Sequence, residues 1–187
     1  MDPRWNAFVV DRKTLKLDID MRDLVDVKVK GQWMIDGAPP LPGWTVKVVR
    51  PPHDRGATAR PAKKVDRQGQ FVLTARPGRA RLRFVGPLPG GARCEVWREI
   101  LLKGPQLYWQ KTMSTASVQE HLEDESIQAR FVRGLDEKSN RELTTVPVDK
   151  KRFLRARIPV GRSVLQTRPK SRQSIDDWTS VRMVETN

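Results

Sequence analysis

Apolar and polar residues alternate along most of this chain. Leu15, Leu17, Ile19 and Met21 interleave with Lys16, Asp18, Asp20 and Arg22. Val27, Val29, Gly31, Trp33 and Ile35 interleave with Lys28, Lys30 and Gln32. A period of two places successive side chains on opposite faces, which marks a half-buried β-strand. Strands are predicted in the same way over 45–49, 71–75, 80–84, 95–103, 106–113, 127–133, 143–148, 153–158, 163–167 and 178–184. Pro39, Pro40 and Pro42 forbid helix and central strand between two of them. Pro51, Pro52, Gly56 and Pro61 mark residues 50–64 as a long loop. Only residues 117–125 could hold a helical turn, and they read equally as an acidic linker. Short strands with turn signals every 8–12 residues predict an all-β protein built of β-sandwiches.

The strands also recur. Residues 65–84 return as residues 148–167, keeping Val-Asp, Phe, Pro, Gly-Arg and Leu in order. Trp97 and Trp178 follow the two copies, and Trp5 opens a segment that resembles residues 97–113. The tryptophans are spaced by 92 and 81 residues, a period of domain size and not of solenoid size. The predicted organisation is residues 1–22 as terminal strands of a preceding unit, 23–118 as a first sandwich, and 119–187 as a second, C-terminally incomplete one. Ala80, Leu82, Phe84, Phe71 and Trp97 are expected to be buried together, with Phe153, Leu165 and Trp178 as counterparts.

A strand closing on Gly31 is followed by Asp36-Gly37 and the proline loop, by Val65-Asp66 with Gly69 and Phe71, and by Pro77-Gly78 ahead of Leu82 and Phe84. This order resembles the carboxypeptidase regulatory-like domain, one of the prealbumin-like and collagen-adhesin B-type sandwiches, broadly Ig-like. Leu17, Asp18, Ile19, Asp20 and Met21 match that family's final strand, but for a previous unit. The resemblance implies tandem prealbumin-like, Ig-like antiparallel β-sandwiches in a larger bacterial protein. It implies a structural or adhesive role, no catalytic residue, and a place in the cell envelope or outside the cell. The implied partners are neighbouring repeats of the same chain. The second copy departs from the pattern, with Lys150 and Lys151 where a turn glycine is expected and Val160 between Pro159 and Gly161.

Catalytic and metal chemistry find little footing. Cys94 is the single cysteine, which excludes an internal disulfide and a cysteine-rich zinc site. Neither His53 nor His121 sits in a zinc-type spacing, and no nucleophile elbow or phosphate-binding loop is present. Asp18, Asp20, Asp23 and Asp26 lack the loop that calcium needs, and no metal or cofactor is expected. Related adhesin repeats carry Lys–Asn or Lys–Asp isopeptide bonds. Lys28 or Lys30 with Glu95 or Glu99 imitates that set, but the alternation puts them on outer faces. No run of residues is apolar for long enough to span a membrane, and no signal peptide is visible at the start.

The charge is uneven. The chain carries 36 Lys and Arg against 22 Asp and Glu, a net +14. Residues 51–100 hold 11 basic and 4 acidic side chains, and residues 151–187 hold 9 and 3. The excess therefore sits on the two copies of one segment. Arg76, Arg79, Arg81 and Arg83 fall on one hairpin, and Arg155 and Arg157 are expected on the corresponding one. Three arginines at alternate positions make a row roughly 13 Å long, suited to a polyanion or a cell-surface polysaccharide. Trp44, Tyr108 and Trp109 are the aromatics expected to be exposed for a carbohydrate.

Overall fold

A computed structural model describes residues 25–50, 60–122, 126–133, 142–169 and 178–186. The predicted terminal strands over 1–22, and His53, lie outside the described residues. Thirteen strands and no helix occur among those described. They are β1 (Val27–Ile35), β2 (Thr45–Val49), β3 (Lys63–Lys64), β4 (Gln70–Ala75), β5 (Gly78–Pro87), β6 (Arg93–Leu102), β7 (Gln106–Met113), β8 (Thr115–His121), β9 (Ser126–Arg133), β10 (Glu142–Pro147), β11 (Phe153–Pro159), β12 (Gly161–Pro169) and β13 (Thr179–Thr186). The all-β reading holds. The stretch weighed as a helical turn is instead β8, which pairs with β11 from Phe153↔His121 to Pro159↔Thr115.

Three sheets form, ordered β4-β1-β7, β11-β8 and β13-β12-β9-β10-β6-β5-β2-β3. Pairing is antiparallel except between β1 and β7, which run parallel from Lys28↔Gln106 to Ile35↔Met113. The alternation decides what lies between the sheets. Val27, Val29 and Trp33 of β1 and Phe71, Leu73 and Ala75 of β4 are buried against Ala80, Leu82 and Phe84 of β5. Trp33 stacks on Phe84 with centroids 4.6 Å apart, and Phe71 meets Phe84 edge-on at 5.5 Å. Val118, Leu154, Ala156 and Ile158 do the same work farther along, with Phe131, Val146 and Leu165. One buried cluster runs through both halves.

Glycines make two of these packings possible. A Cβ on Gly31 would lie 2.1 Å from the Phe71 ring, and one on Gly86 would lie 2.3 Å from the Trp44 ring. Each strand gives up a side chain so that an aromatic ring can lie against its backbone.

One turn is built twice. Asp66 Oδ1 accepts from the amides of Gln68 and Gln70, and Asp149 Oδ1 accepts from those of Lys151 and Phe153. Gly69 N donates to Asp66 O as Arg152 N donates to Asp149 O, each at 3.0 Å. Gly69 and Arg152 share the left-handed conformation, at φ 78° and 64°. The true counterpart of Gly69 is therefore Arg152, and that of Phe71 is Leu154. Leu154 is buried, whereas Phe153 is half-buried and corresponds to Gln70.

Trp97 and Trp178 also correct the expected core. Both are half-buried on the outer side of the large sheet. Arg83 lies 5.4 Å from the Trp97 ring centroid, and Arg130 lies 4.1 Å from that of Trp178. Each tryptophan lies under an arginine, held partly by cation–π attraction.

The shared turn makes opposite predictions at its two copies. Gly69→Ala forces a Cβ to within 2.3 Å of Trp33 O at positive φ, so it should destabilise by about 2 kcal/mol or more. Arg152→Gly relieves the same backbone conformation and should stabilise by up to about 1 kcal/mol. Urea unfolding of the two variants checks both signs.

Candidate functional site

Strand β5 turns Ala80, Leu82 and Phe84 inward, so Arg79, Arg81 and Arg83 share its outer face. Its neighbour β6 supplies the acids. Arg81 lies directly across from Glu99, 3.7 Å away, and Arg83 reaches Glu95 at 2.5 Å. Trp97 Nε1 donates to the other oxygen of Glu95, also at 2.5 Å. Arg83, Glu95 and Trp97 therefore form one closed outer-face cluster. Arg79 faces Leu101 across the pair and is exposed, as is Arg76. The row exists, but two of its three charges already meet carboxylates.

Arg155 and Arg157 do not sit on the corresponding hairpin strand. The Asp149 turn sets them on β11, the counterpart of β4, where they answer to Val72 and Thr74. The counterparts of Arg79, Arg81 and Arg83 on β12 are Arg162, Val164 and Gln166, so the row is not repeated. Arg155 is exposed. Arg157 belongs to the joint between the halves, 3.2 Å from Asp36 Oδ2 and donating to Thr115 O at 3.1 Å.

The aromatic candidates divide. Tyr108 is 72% exposed. Its neighbour Trp109 points the other way, half-buried, and stacks on Phe84 at 5.3 Å. Adjacent residues of a strand cannot share a face. Trp44 is 1% exposed and its Nε1 donates to Pro87 O at 2.9 Å. It shares the parity of buried Val46, a signal that was present in the sequence. The expected exposure of Trp44 and Trp109 is thus corrected. Around Tyr108 the outer face of β4-β1-β7 is an open trough of about 760 Å³, with Lys30, Gln32, Gln70 and Gln110. Lys30 Nζ lies 5.8 Å from the Tyr108 ring centroid.

No group of three or more His, Cys, Asp and Glu is placed to hold a metal among the described residues. No helix among them is long and apolar enough to cross a membrane. His121 is exposed, its ring 4.7 Å from that of Phe153. Lys28 and Lys30 project outward from β1, away from the buried face that carries Val27 and Val29. Cys94 is fully buried, and its thiol is pushed up to about 12 by burial, against a hydrogen bond from Thr144 that lowers it.

No protein family matches the chain, and no curated protein does. Among solved structures, a streptococcal ancillary pilin is similar at 15% identity and TM-score 0.37, over 88% of this chain and 60% of that one. The Bacillus anthracis TIE protein is similar at 10% identity and TM-score 0.36, over 87% of this chain and 32% of that one. A DUF3823 family protein from Parabacteroides merdae is similar at 10% identity and TM-score 0.36, over 87% and 99%. The chain spans less than two thirds of the first two.

Arg83→Gln should cost about 1 kcal/mol through the lost ion pair and ring contact, whereas Arg79→Gln should stay within about 0.5 kcal/mol. On immobilised heparin, the Arg76→Gln/Arg79→Gln pair should shift elution to lower salt more than the Arg81→Gln/Arg83→Gln pair. A larger shift from the second pair would mean that Glu95 and Glu99 do not neutralise the row.

Cys94 should resist iodoacetamide at pH 8 until the protein unfolds. Its thiol pKa is higher folded than unfolded, so its contribution to stability is intact below about pH 9 and is lost as pH rises through about 12. Unfolding midpoints of the parent and of Cys94→Ala, compared from pH 7 to 11, should converge as the pH climbs.

Proposed function

We propose that this chain is a structural β-sandwich repeat module, a stiff spacer or adhesive segment of a larger bacterial protein related to the carboxypeptidase regulatory-like domains. Its two sandwiches are tandem copies of one unit. Its work is mechanical, to hold whatever it joins at a fixed distance and orientation.

The observation that supports this reading is the joint. Ser114 alone separates β7 from β8. Ser114 O accepts from Val160 N at 3.0 Å, and Asp36 N donates to Met113 O at 2.9 Å. Asp36 adopts φ 52°, and its carboxylate accepts from both the amide and the hydroxyl of Thr115 at 2.6 Å while facing Arg157. Beside this, β10 adds to the edge of β6 from Glu142↔Val96 to Thr145↔Arg93, so one sheet crosses from half to half. Arg98 of β6 pairs with the buried Glu142 of β10, and Arg133 stands 3.6 Å from the same carboxylate. A flexible linker would be several residues of Gly and Ser. Here the link is one residue, tied from three sides.

Spin labels on cysteines placed at the exposed Val72 and Met183 read this directly, since buried Cys94 stays unlabelled. The expected distance distribution is narrow in the parent. Asp36→Ala together with Arg98→Ala should broaden it while both halves remain folded. A broad distribution in the parent would end the spacer reading.

A further inference from the structure

Strand register rules the outer face of β4-β1-β7 into levels. Parity turns Val27, Val29 and Trp33 of β1 inward, so Lys28, Lys30 and Gln32 point out. On β4 the outward residues are Gln70, Val72 and Thr74, and on β7 they are Gln106, Tyr108 and Gln110. Pairing sets Gln32 opposite both Gln70 and Gln110, so three primary amides stand side by side across the sheet. That row is about 10 Å wide, from two inter-strand steps. At the next outward level Lys30 stands between Val72 and Tyr108. The two levels are about 7 Å apart along the strands. Together they line the open trough of about 760 Å³, with Lys64 and Asp66 beside them.

These groups have bonding capacity to spare. Gln32 Nε2 donates one bond, to Gln68 O at 3.3 Å, which leaves a second N–H and the carbonyl. The side-chain amides of Gln70 and Gln110 have no hydrogen-bond partner among the described residues, and Lys28, Lys30 and Lys64 have no ion pair among them. Asp66 is the one carboxylate lining the trough, and its Oδ1 is taken by the amides of Gln68 and Gln70. The face is therefore cationic. Tyr108 and Val72, 72% and 50% exposed, give it apolar surface on either side of Lys30.

A primary amide both donates and accepts, as a sugar hydroxyl does. An exposed phenol ring offers a flat apolar surface, which suits the C–H face of a pyranose. An ammonium beside that ring attracts a carboxylate. We propose that this face binds an acidic polysaccharide. One uronate ring stacks on Tyr108 with its carboxylate on Lys30, and the adjoining ring hydrogen-bonds the Gln70–Gln32–Gln110 row. A peptide strand would instead seek a sheet edge, where backbone groups are open. Single-stranded nucleic acid uses successive aromatic platforms, whereas the next aromatic of β7, Trp109, faces the core. The site lies on the sheet opposite Arg76 and Arg79, so the two surfaces can be altered separately. It goes beyond the spacer reading and does not rest on it.

Calorimetric titration of the parent with uronate tetrasaccharides cut from pectin, alginate and hyaluronan tests the site. At least one should bind, and methyl esterification of its carboxylates should weaken binding about tenfold. Tyr108→Ala should also weaken it about tenfold with the unfolding midpoint unchanged, while Tyr108→Phe keeps it. Lys30→Gln should weaken it several-fold and flatten its salt dependence. The Arg76→Gln/Arg79→Gln pair should leave it unchanged. Binding by none of the three tetrasaccharides, equal binding of the esterified form, or indifference to Tyr108→Ala would each overturn the proposal. So would tighter, Tyr108-dependent binding of oligothymidylate, which would make the occupant a nucleic acid. None of these outcomes bears on the Val72–Met183 distances, which test the spacer reading separately.

Discussion

The edge that β6 offers to β10 is the constraint on which the rest of the architecture depends. β6 already pairs with β5 along its length, and its other edge would be a row of open amides and carbonyls. Four residue pairs with β10 close the first part of that edge and turn two sheets into one. The contact is polar at its centre. Arg98 and Glu142 are largely buried, and Thr144 lies against Cys94. A buried ion pair adds little net stability over apolar packing, but it penalises any register that separates the partners. It therefore favours one geometry at the joint. The Asp36 clamp applies the same logic on the opposite sheet, where one carboxylate meets an amide, a hydroxyl and a guanidinium.

Inside the first half the packing is organised by aromatics lying on glycines. Trp33, Trp44, Phe71, Phe84 and Trp109 form one connected set, with centroid separations from 4.6 to 6.3 Å. Gly31 and Gly86 are the floors on which Phe71 and Trp44 rest. Among the described residues the second half has no such set. Leu154 stands for Phe71, Thr167 for Phe84 and Leu122 for Trp33. Its Asp turn also carries Arg152 where glycine is unstrained. The same turn is thus maintained with less aromatic burial among the described residues, and the shared sheet ties the second half to the first.

The basic character of the chain changes meaning once the strands are paired. A +7 excess over residues 51–100 suggests an open cationic row. Cross-strand neighbours on β6 convert most of that row into ion pairs and a ring contact, with Arg79 and Arg76 left outermost. A second contribution, Arg157, is spent on the joint. The exposed aromatic face lies elsewhere, around Tyr108 on the opposite sheet.

The sequence by itself determined the all-β character and most of the strands and turns. Period-two alternation settles which residues share a face, and Asp66 with Gly69 specifies a turn; that Arg152 takes the place of Gly69 in its counterpart was decided by the structure. These are local properties of a chain whose side chains alternate. What alternation leaves open is which of the two faces is inside, and which edge meets which. Trp44 and Tyr108 both follow turns, yet one is core and the other surface. Trp97 and Trp178 repeat like core residues but sit outside under arginines. The parallel β1–β7 pair, the β6–β10 seam and the carboxylates facing Arg81 and Arg83 join residues far apart in the chain. Only tertiary structure decided them, because strand pairing and sheet packing are selected by the whole set of edges and faces competing for partners.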